Sequence, residues 1–129
     1  MGVLGVGVDL VDVTRVAAVL GQGARGERFR RRVFTASERR DCEGKSNPAA
    51  SYSVRFAAKE AVLKALHAEV AWGFPWPDIE VLRGETGAPS VRLYGRTAEK
   101  AERLGVDVIH VSLSHLDVLA IAQVVVEKG

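Results

Sequence analysis

Residues 55–67 read Arg-Phe-Ala-Ala-Lys-Glu-Ala-Val-Leu-Lys-Ala-Leu-His, and they predict the most regular helix of this chain. At the helical period one apolar stripe is formed by Ala58, Ala61, Val62, Ala65 and Leu66. Phe56 and Leu63 lie on the far side beside Glu60, so we expect the helix to be covered on two sides. Glu60 is then a carboxylate close to buried surface, which is costly without a partner. Lys64, four residues further on, is one candidate partner and a metal ion is the other.

The composition favours a single cytoplasmic domain over residues 1–129. That length suits one domain, and a hydrophobic content of 47% allows a sizeable core. The first residues lack the basic region and cleavage site of a secretory signal, and the apolar run at 118–126 is too short to span a bilayer. Cys42 is the only cysteine, so no intrachain disulfide can form, and we expect an inert thiol. We expect no membrane partner.

The charge is unevenly distributed along the chain. Net charge is only +2, but residues 25–40 carry seven arginines against Glu27 and Glu38, a local charge of +5. The other residues carry eleven bases against fourteen acids, a charge of −3. A basic patch of this kind suggests an acidic partner, and a solvated helix face is the alternative. Nucleic acid is disfavoured because no nucleic-acid motif is present.

Turn and capping signals predict an α+β fold, with a mainly antiparallel sheet packed against the long helix, because helices and strands do not alternate. A capping box at residues 35–38 and the Asn47-Pro48 start signal predict two of the helix beginnings. The expected elements are a strand over 3–8 ending at Asp9, helices over 14–20, 25–34, 35–44 and 48–69, an irregular loop over 72–77, a hairpin of strands over 78–83 and 90–94, a helix over 96–104, and strands over 106–114 and 116–127.

Asp9 and Glu60 are the candidate metal ligands. Asp9 ends a strand that contains Gly5 and Gly7, which allow close approach by another chain or a ligand. Taken alone, Asp9 suits a turn or capping role better. Two carboxylates from separate elements can nevertheless hold a hard cation such as Mg²⁺, together with water and phosphate oxygens. Clusters of zinc type are absent from the sequence, so the pair indicates phosphate chemistry.

The histidines differ in their sequence context. His115 lies where the last two strands meet, a position suited either to a ligand contact or to simple exposure. His67 and His110 have no such context, and we expect them to be structural or exposed.

Several motifs resemble the holo-acyl-carrier-protein synthase group of the 4′-phosphopantetheinyl transferases. The matching segments are residues 5–10, 55–61 with 64–65, 78–81, 86–89 with 91, 93 and 95, 112–115, and 120–122. They span nearly the whole chain in the expected order, and the Phe-Ala-Ala-Lys-Glu block is the most specific of them. The arginine-rich residues 21–34, the segment 42–51 and the loop 72–77 depart from the family pattern.

The resemblance implies a Mg²⁺-dependent transfer of the 4′-phosphopantetheine arm of coenzyme A to a serine of apo acyl carrier protein. Adenosine 3′,5′-bisphosphate would be the other product, and the setting would be fatty-acid or polyketide biosynthesis. Asp9 and Glu60 would hold the metal, Glu60 would accept the serine proton directly or through water, and Lys64 would meet the pyrophosphate. The further coenzyme A contacts that it implies are Arg55, Lys59, Gly87, Pro89 and His115.

The resemblance also implies partners. Acyl carrier proteins are acidic, so we expect Arg15, Arg25 and Arg28 to form the docking surface. A homotrimer with sites at subunit interfaces would allow so short a chain to enclose a large substrate. The carrier that is served stays open, and so does Asp117, a strand-start residue or an added site carboxylate. Two alternatives remain: another Mg²⁺-dependent enzyme acting on a nucleotide diphosphate, and a non-catalytic module whose arginines bind nucleic acid or an acidic protein.

Overall fold

A computed structural model describes residues 2–129 and has the expected α+β architecture. A three-stranded sheet has the order β1-β5-β4, a second sheet is the hairpin β2-β3, and all pairs are antiparallel. The elements are β1 (Gly2–Asp12), α1 (Val13–Leu20), α2 (Ala24–Val33), α3 (Ala36–Glu43), α4 (Pro48–Ala65), β2 (Ile79–Arg83), β3 (Pro89–Leu93), α5 (Gly95–Leu104), β4 (Val108–His115) and β5 (Leu119–Lys128), with 3₁₀ turns at Val70–Trp72 and Trp76–Asp78.

Helix α4 is the central element of the core. It starts as predicted, with Asn47 accepting the Ala50 N–H at 3.2 Å and Pro48 in the first turn. Thirteen of its 18 residues are buried, so the helix is covered on more sides than its two apolar stripes require. It contacts the three-stranded sheet as well as α1, α3 and β2. This burial carries the polar residues of α4 into the interior along with the apolar ones.

The end of α4 is four residues earlier than predicted. The helix stops at Ala65 because His67 adopts a φ of 56°, in the left-handed region that glycine usually occupies at this position. The Ala68 N–H bonds to Leu63 O at 2.9 Å and the His67 N–H to Lys64 O at 3.1 Å, which is the Schellman pattern. Without a glycine, the sequence carries no visible stop signal there.

Strand β1 is longer than predicted, and the prediction that it ends at Asp9 is wrong. The strand pairs with β5 as far as Asp12 opposite Leu119, so Asp9 lies inside the ladder opposite Ala122. Asp12 then caps α1, because its Oδ1 accepts the Thr14 N–H at 2.9 Å.

The two glycines of β1 allow α4 to lie directly on the strand. A Cβ at Gly5 would be 2.0 Å from Ala65 O, and a Cβ at Gly7 would be 2.0 Å from Ala61 O. The close approach that these glycines predicted is therefore made by the chain's own helix.

The three-stranded sheet has one buried and one exposed apolar face. On the α4 side, Ala122 and Val124 of β5 are completely buried. On the other side, Val6, Val8 and Leu10 of β1 are 61%, 53% and 59% exposed. A contiguous exposed apolar face of this kind marks an interaction surface.

The loop over 72–77 is more regular than predicted. Pro77 is accommodated in the 3₁₀ turn Trp76–Asp78, since an early position in a turn needs no N–H from it. The capping box at Thr35 and Glu38 is present as predicted. Across residues 2–129, no helix is both long and apolar enough to cross a membrane.

Candidate active site

The packing of α4 on β1 brings Asp9, Glu60 and Lys64 together. Lys64 Nζ donates to Asp9 Oδ1 at 3.0 Å and to Val8 O at 2.9 Å. Glu60 lies one helical turn before Lys64 and lines the same pocket as Asp9. Burial and the negative charge of Asp9 raise the pKa of Glu60, and Lys64 partly opposes them. The lysine that was one candidate partner of Glu60 is therefore bonded to Asp9 instead.

The donor set at this site fits a hard cation. It contains two carboxylates and one ammonium, and within residues 2–129 the Glu60 carboxylate makes no hydrogen bond or salt bridge. A divalent ion would offset the repulsion between the two carboxylates. Among the described residues no group of three or more His, Cys, Asp or Glu side chains could hold a metal. The pair thus suits Mg²⁺, which takes one or two carboxylates and fills its other positions with water and phosphate oxygens.

Pockets lie on both sides of Glu60. The first, here the carboxylate pocket, has a volume of about 310 Å³. It is lined by Asp9, Leu10, Val11, Asp12, Arg15, Val16, Val19, Phe29, Phe56 and Glu60. The second, here the tryptophan pocket, has a volume of about 600 Å³ and is lined by Glu60, Leu63, Lys64, His67, Ala68, Glu69, Val70, Trp72 and Trp76. Glu60 is thus the residue that the two pockets share.

A third pocket collects positive charge. This cationic pocket has a volume of about 300 Å³, and its basic lining residues are Lys45, Arg55, Arg83 and His115. It therefore brings together the predicted Arg55 and His115, which are far apart in sequence. The sequence analysis missed Lys45 and Arg83, because each is a single charged residue beside a turn and carries no motif of its own.

The guanidinium of Arg55 is buried in the wall of the cationic pocket. It pairs with Asp41, and its Nη1 donates to Ser51 Oγ at 2.5 Å. Its Nε is buried and has no hydrogen-bond partner in the part of the chain that the structure describes. An unsatisfied buried donor of this kind is costly to the fold.

The β2–β3 turn lies next to this pocket through Arg83. Arg83 Nη1 donates to Gly87 O at 2.8 Å, and the Gly87 N–H donates to Gly84 O at 2.9 Å. Pro89 has no N–H to offer. Nucleotide contacts from Gly87 and Pro89 stay a prediction.

Lys59 lies in the interior and lines none of the three pockets described above, and its contact with coenzyme A stays a prediction. Its side chain is completely buried, and Nζ donates to Glu38 Oε1 at 2.7 Å, to Ile79 O and to Trp76 O at 3.3 Å. Burial lowers the pKa of Lys59, whereas Glu38 opposes that shift. Position 59 faces α3 and β2, so the ammonium joins these elements to α4. No local pattern predicts this pairing, because Glu38 lies 21 residues from Lys59.

The predicted docking arginines share one surface. Arg15 lines the carboxylate pocket, and Arg25 and Arg28 line a neighbouring shallow pocket. Val19 and Phe29 line both pockets, so the two surfaces are continuous. Other arginines of the basic segment are engaged within the fold. For example, Arg30 bonds Glu43 at 3.1 Å and Arg39 bonds Phe34 O at 2.7 Å.

The remaining reactive side chains are Cys42, His67, His110 and Asp117, and of these His67 lines the tryptophan pocket. Cys42 is buried, and burial raises the pKa of its thiol, in agreement with an inert residue. His67 is exposed, and His110 lies on the sheet surface, 2.7 Å from Glu127. Asp117 is exposed in the turn between β4 and β5.

Comparison with known proteins agrees with this geometry. A family model described as the 4′-phosphopantetheinyl transferase superfamily matches residues 5–122. Over 126 residues the chain is 46% identical to a holo-acyl-carrier-protein synthase of Anaeromyxobacter sp. (strain K), which covers 97% of this chain and 96% of the relative.

Solved structures are similar over nearly the whole chain. The holo-acyl-carrier-protein synthase of Neisseria meningitidis has a TM-score of 0.85 and 27% identity, covering 98% of this chain and 100% of that one. The enzyme of Helicobacter pylori, solved in complex with coenzyme A, has a TM-score of 0.82 and 29% identity, covering 95% and 99%.

The fold, the carboxylate pair and these similarities define a phosphopantetheinyl transferase. The chain belongs to the 4′-phosphopantetheinyl transferase superfamily, and within it to the holo-acyl-carrier-protein synthase group. The family resemblance drawn from the motifs and the prediction of an enzyme are thereby confirmed.

Proposed function

We propose that this enzyme transfers the 4′-phosphopantetheine arm of coenzyme A to a serine of apo acyl carrier protein, in a Mg²⁺-dependent reaction that releases adenosine 3′,5′-bisphosphate. The observation that carries the proposal is the Glu60 carboxylate, held beside Asp9 and Lys64 between two pockets. Coenzyme A bound to the related enzyme of Helicobacter pylori supports the choice of donor.

The three central residues have distinct roles in this proposal. The serine oxygen bonds to the phosphorus that carries the pantetheine arm, the phosphoanhydride bond breaks, and the serine proton passes to Glu60. In this role Glu60 acts as a general base, either directly or through a water molecule. Lys64, whose side chain is 53% exposed, offers an ammonium to the pyrophosphate oxygens. Asp9 and Glu60 would hold Mg²⁺, which when bound neutralises charge on those oxygens.

The cationic pocket suits another phosphate of coenzyme A. Arg55 and His115 lie there with Lys45 and Arg83, and together these basic side chains suit an anionic group. This pocket shares no lining residue with the two pockets beside Glu60. We therefore propose that the carboxylates of one subunit and the cationic pocket of a neighbour bind the same coenzyme A.

A homotrimer would create that shared site. The exposed face of β1, with Val6, Val8 and Leu10, supplies apolar area for subunit contact. The short chain then needs no second domain to enclose its substrate.

Arg15, Arg25 and Arg28 form the surface that we assign to the carrier. Arg15 lines the carboxylate pocket, so a carrier docked there presents its serine towards Glu60. Acidic carriers suit such a surface through steering and complementarity. Cytoplasmic fatty-acid or polyketide biosynthesis is the proposed setting.

A mass measurement tests the transfer directly. The protein is incubated with coenzyme A, Mg²⁺ and an apo carrier, and the carrier is expected to gain the mass of one phosphopantetheine arm. If coenzyme A is consumed without a carrier, the enzyme acts on nucleotide diphosphates alone. If folded protein modifies no carrier and consumes nothing, the non-catalytic alternative holds.

Glu60→Gln is the matched control for this assay. It keeps the shape of the side chain and removes its charge, so we expect turnover to fall by about a hundredfold or more. The fold should be unaffected, because Glu60 makes no bond to the described residues and its ionised form is disfavoured by burial. Unchanged turnover in this variant would remove Glu60 from the mechanism.

A further inference from the structure

Strand β1 has glycines at the two positions where α4 crosses it most closely. Gly5 and Gly7 both face the helix, and a Cβ at either would lie 2.0 Å from a helix carbonyl oxygen. The atoms in the way belong to backbone, Ala65 O for Gly5 and Ala61 O for Gly7, so no side-chain rotation can relieve the overlap. The close spacing between β1 and α4 thus requires that Gly5 and Gly7 have no Cβ atom.

Of these two contacts, that of Gly7 is next to both carboxylates. Asp9 follows Gly7 by two residues, so the two residues point to the same face of β1. Ala61 directly follows Glu60 on α4. Lys64 Nζ also donates a hydrogen bond of 2.9 Å to Val8 O, the carbonyl between Gly7 and Asp9, and this bond joins the helix to the strand there. The approach of Gly7 to Ala61 therefore governs how far Asp9 lies from Glu60.

The contact of Gly5 is equally tight but lies further from the carboxylates. Ala65 is four residues after Ala61, one turn along α4. Gly5 is four residues from Asp9 along β1, twice as far as Gly7. The chain therefore offers two sites with the same steric demand at different distances from the carboxylate pair.

We propose that Gly7 is a positioning residue for catalysis, because its missing side chain lets α4 approach β1 closely enough for Asp9 and Glu60 to bind one divalent cation. This inference rests on the metal site of the proposed function. A methyl group at Gly7 would need a local displacement of about 1.4 Å to reach an ordinary contact distance. Metal–ligand distances are fixed within about 0.2 Å, so such a displacement would separate the two carboxylates beyond the reach of one ion.

The test is the affinity for Mn²⁺, used as a spin-active substitute for Mg²⁺ and followed by electron paramagnetic resonance without substrate. Gly7→Ala should weaken Mn²⁺ binding by about 10- to 100-fold, as loss of supporting residues around a metal does. Gly5→Ala should lose similar stability in urea unfolding yet keep Mn²⁺ affinity within about threefold of the wild type. Equal weakening in both variants would mean a general packing role and would overturn the proposal.

A rescue variant distinguishes a role of Gly7 in positioning the metal ligands from general disruption of the fold. Glutamate is one methylene longer than aspartate, so Asp9→Glu should restore part of the Mn²⁺ affinity in the Gly7→Ala background and weaken binding in the wild-type background. If Gly7→Ala does not fold, Asp9→Glu alone decides: unchanged affinity would show that the spacing is not critical. If the wild-type enzyme binds no Mn²⁺ even when coenzyme A is added, the metal site of the proposed function fails, and the proposal fails with it.

Discussion

Lys59→Met tests whether the buried lysine of α4 supports the fold or binds substrate. Methionine keeps much of the length and the apolar stem of lysine but removes the ammonium that bonds Glu38, Ile79 O and Trp76 O. Both members of the Lys59–Glu38 pair are completely buried. The substitution therefore leaves a carboxylate in the interior without its counter-charge.

The expected loss is a large part of the stability. Removing one partner of a buried ion pair costs about 3–5 kcal/mol. Glu38 would keep the N–H donors of Thr35 and Val81, each at 2.9 Å, so we expect a value near the lower end, about 3 kcal/mol. The free energy of unfolding of a small domain is about 5–15 kcal/mol, so this loss is a large fraction of it. The melting temperature should fall by roughly 10 °C.

The assay is urea unfolding at one fixed protein concentration, because assembly would make stability concentration-dependent. Lys64→Met is the matched control, since it makes the same substitution on the same helix at a lysine 53% exposed. Its cost should stay below about 1 kcal/mol, while turnover falls. Lys59→Met should show the reverse pattern, with low stability and an unchanged KM for coenzyme A in the folded fraction.

A double variant isolates the orphaned charge. Glu38→Gln removes the unpaired carboxylate, so Lys59→Met combined with Glu38→Gln should cost less than the sum of the two single changes. If Lys59→Met costs under about 1 kcal/mol and raises the KM for coenzyme A tenfold, Lys59 is a substrate ligand and its structural assignment is refuted.

Two further predictions concern docking and pH. Arg15→Glu with Arg28→Glu should raise the KM for the carrier by at least about tenfold, and more than that for coenzyme A, because both arginines lie on the surface beside the carboxylate pocket; a larger effect on coenzyme A would make this surface a cofactor site. Tyr52→Phe should cost about 1 kcal/mol at pH 7, since the Tyr52 hydroxyl donates to Glu43 at 2.6 Å. Burial and this bond raise the pKa of Tyr52, so its contribution is complete below about pH 10 and is lost as pH rises further. The unfolding free energy of Tyr52→Phe should therefore decline less steeply above about pH 10, and parallel curves would contradict this assignment.

Local signals predicted the parts of the fold that depend on neighbours in sequence. The Thr35–Glu38 capping box and the start of α4 at Asn47 lie where the sequence indicates, because each is held by bonds spanning three residues. The end of α4 was missed because His67 occupies a glycine-like conformation that residue type does not reveal.

Pairing between distant segments decided the rest. Strand β1 runs past Asp9 because β5, more than a hundred residues later, continues to supply hydrogen-bond partners. The cationic pocket gathers residues from a loop, a helix and two strands, and no local pattern connects them. Such features depend on which segments meet, and residue spacing alone does not specify that.

The sequence by itself determined the α+β class, the apolar stripes of α4 and the two carboxylates that define the site, since these depend on residue type and period. Only the tertiary structure decided what each lysine of α4 does. Lys59 and Lys64 are five residues apart on one helix, yet the first meets Glu38 in the interior and the second meets Asp9 at the pocket. Which charge is buried depends on what packs against each face of the helix, and that follows from the whole fold.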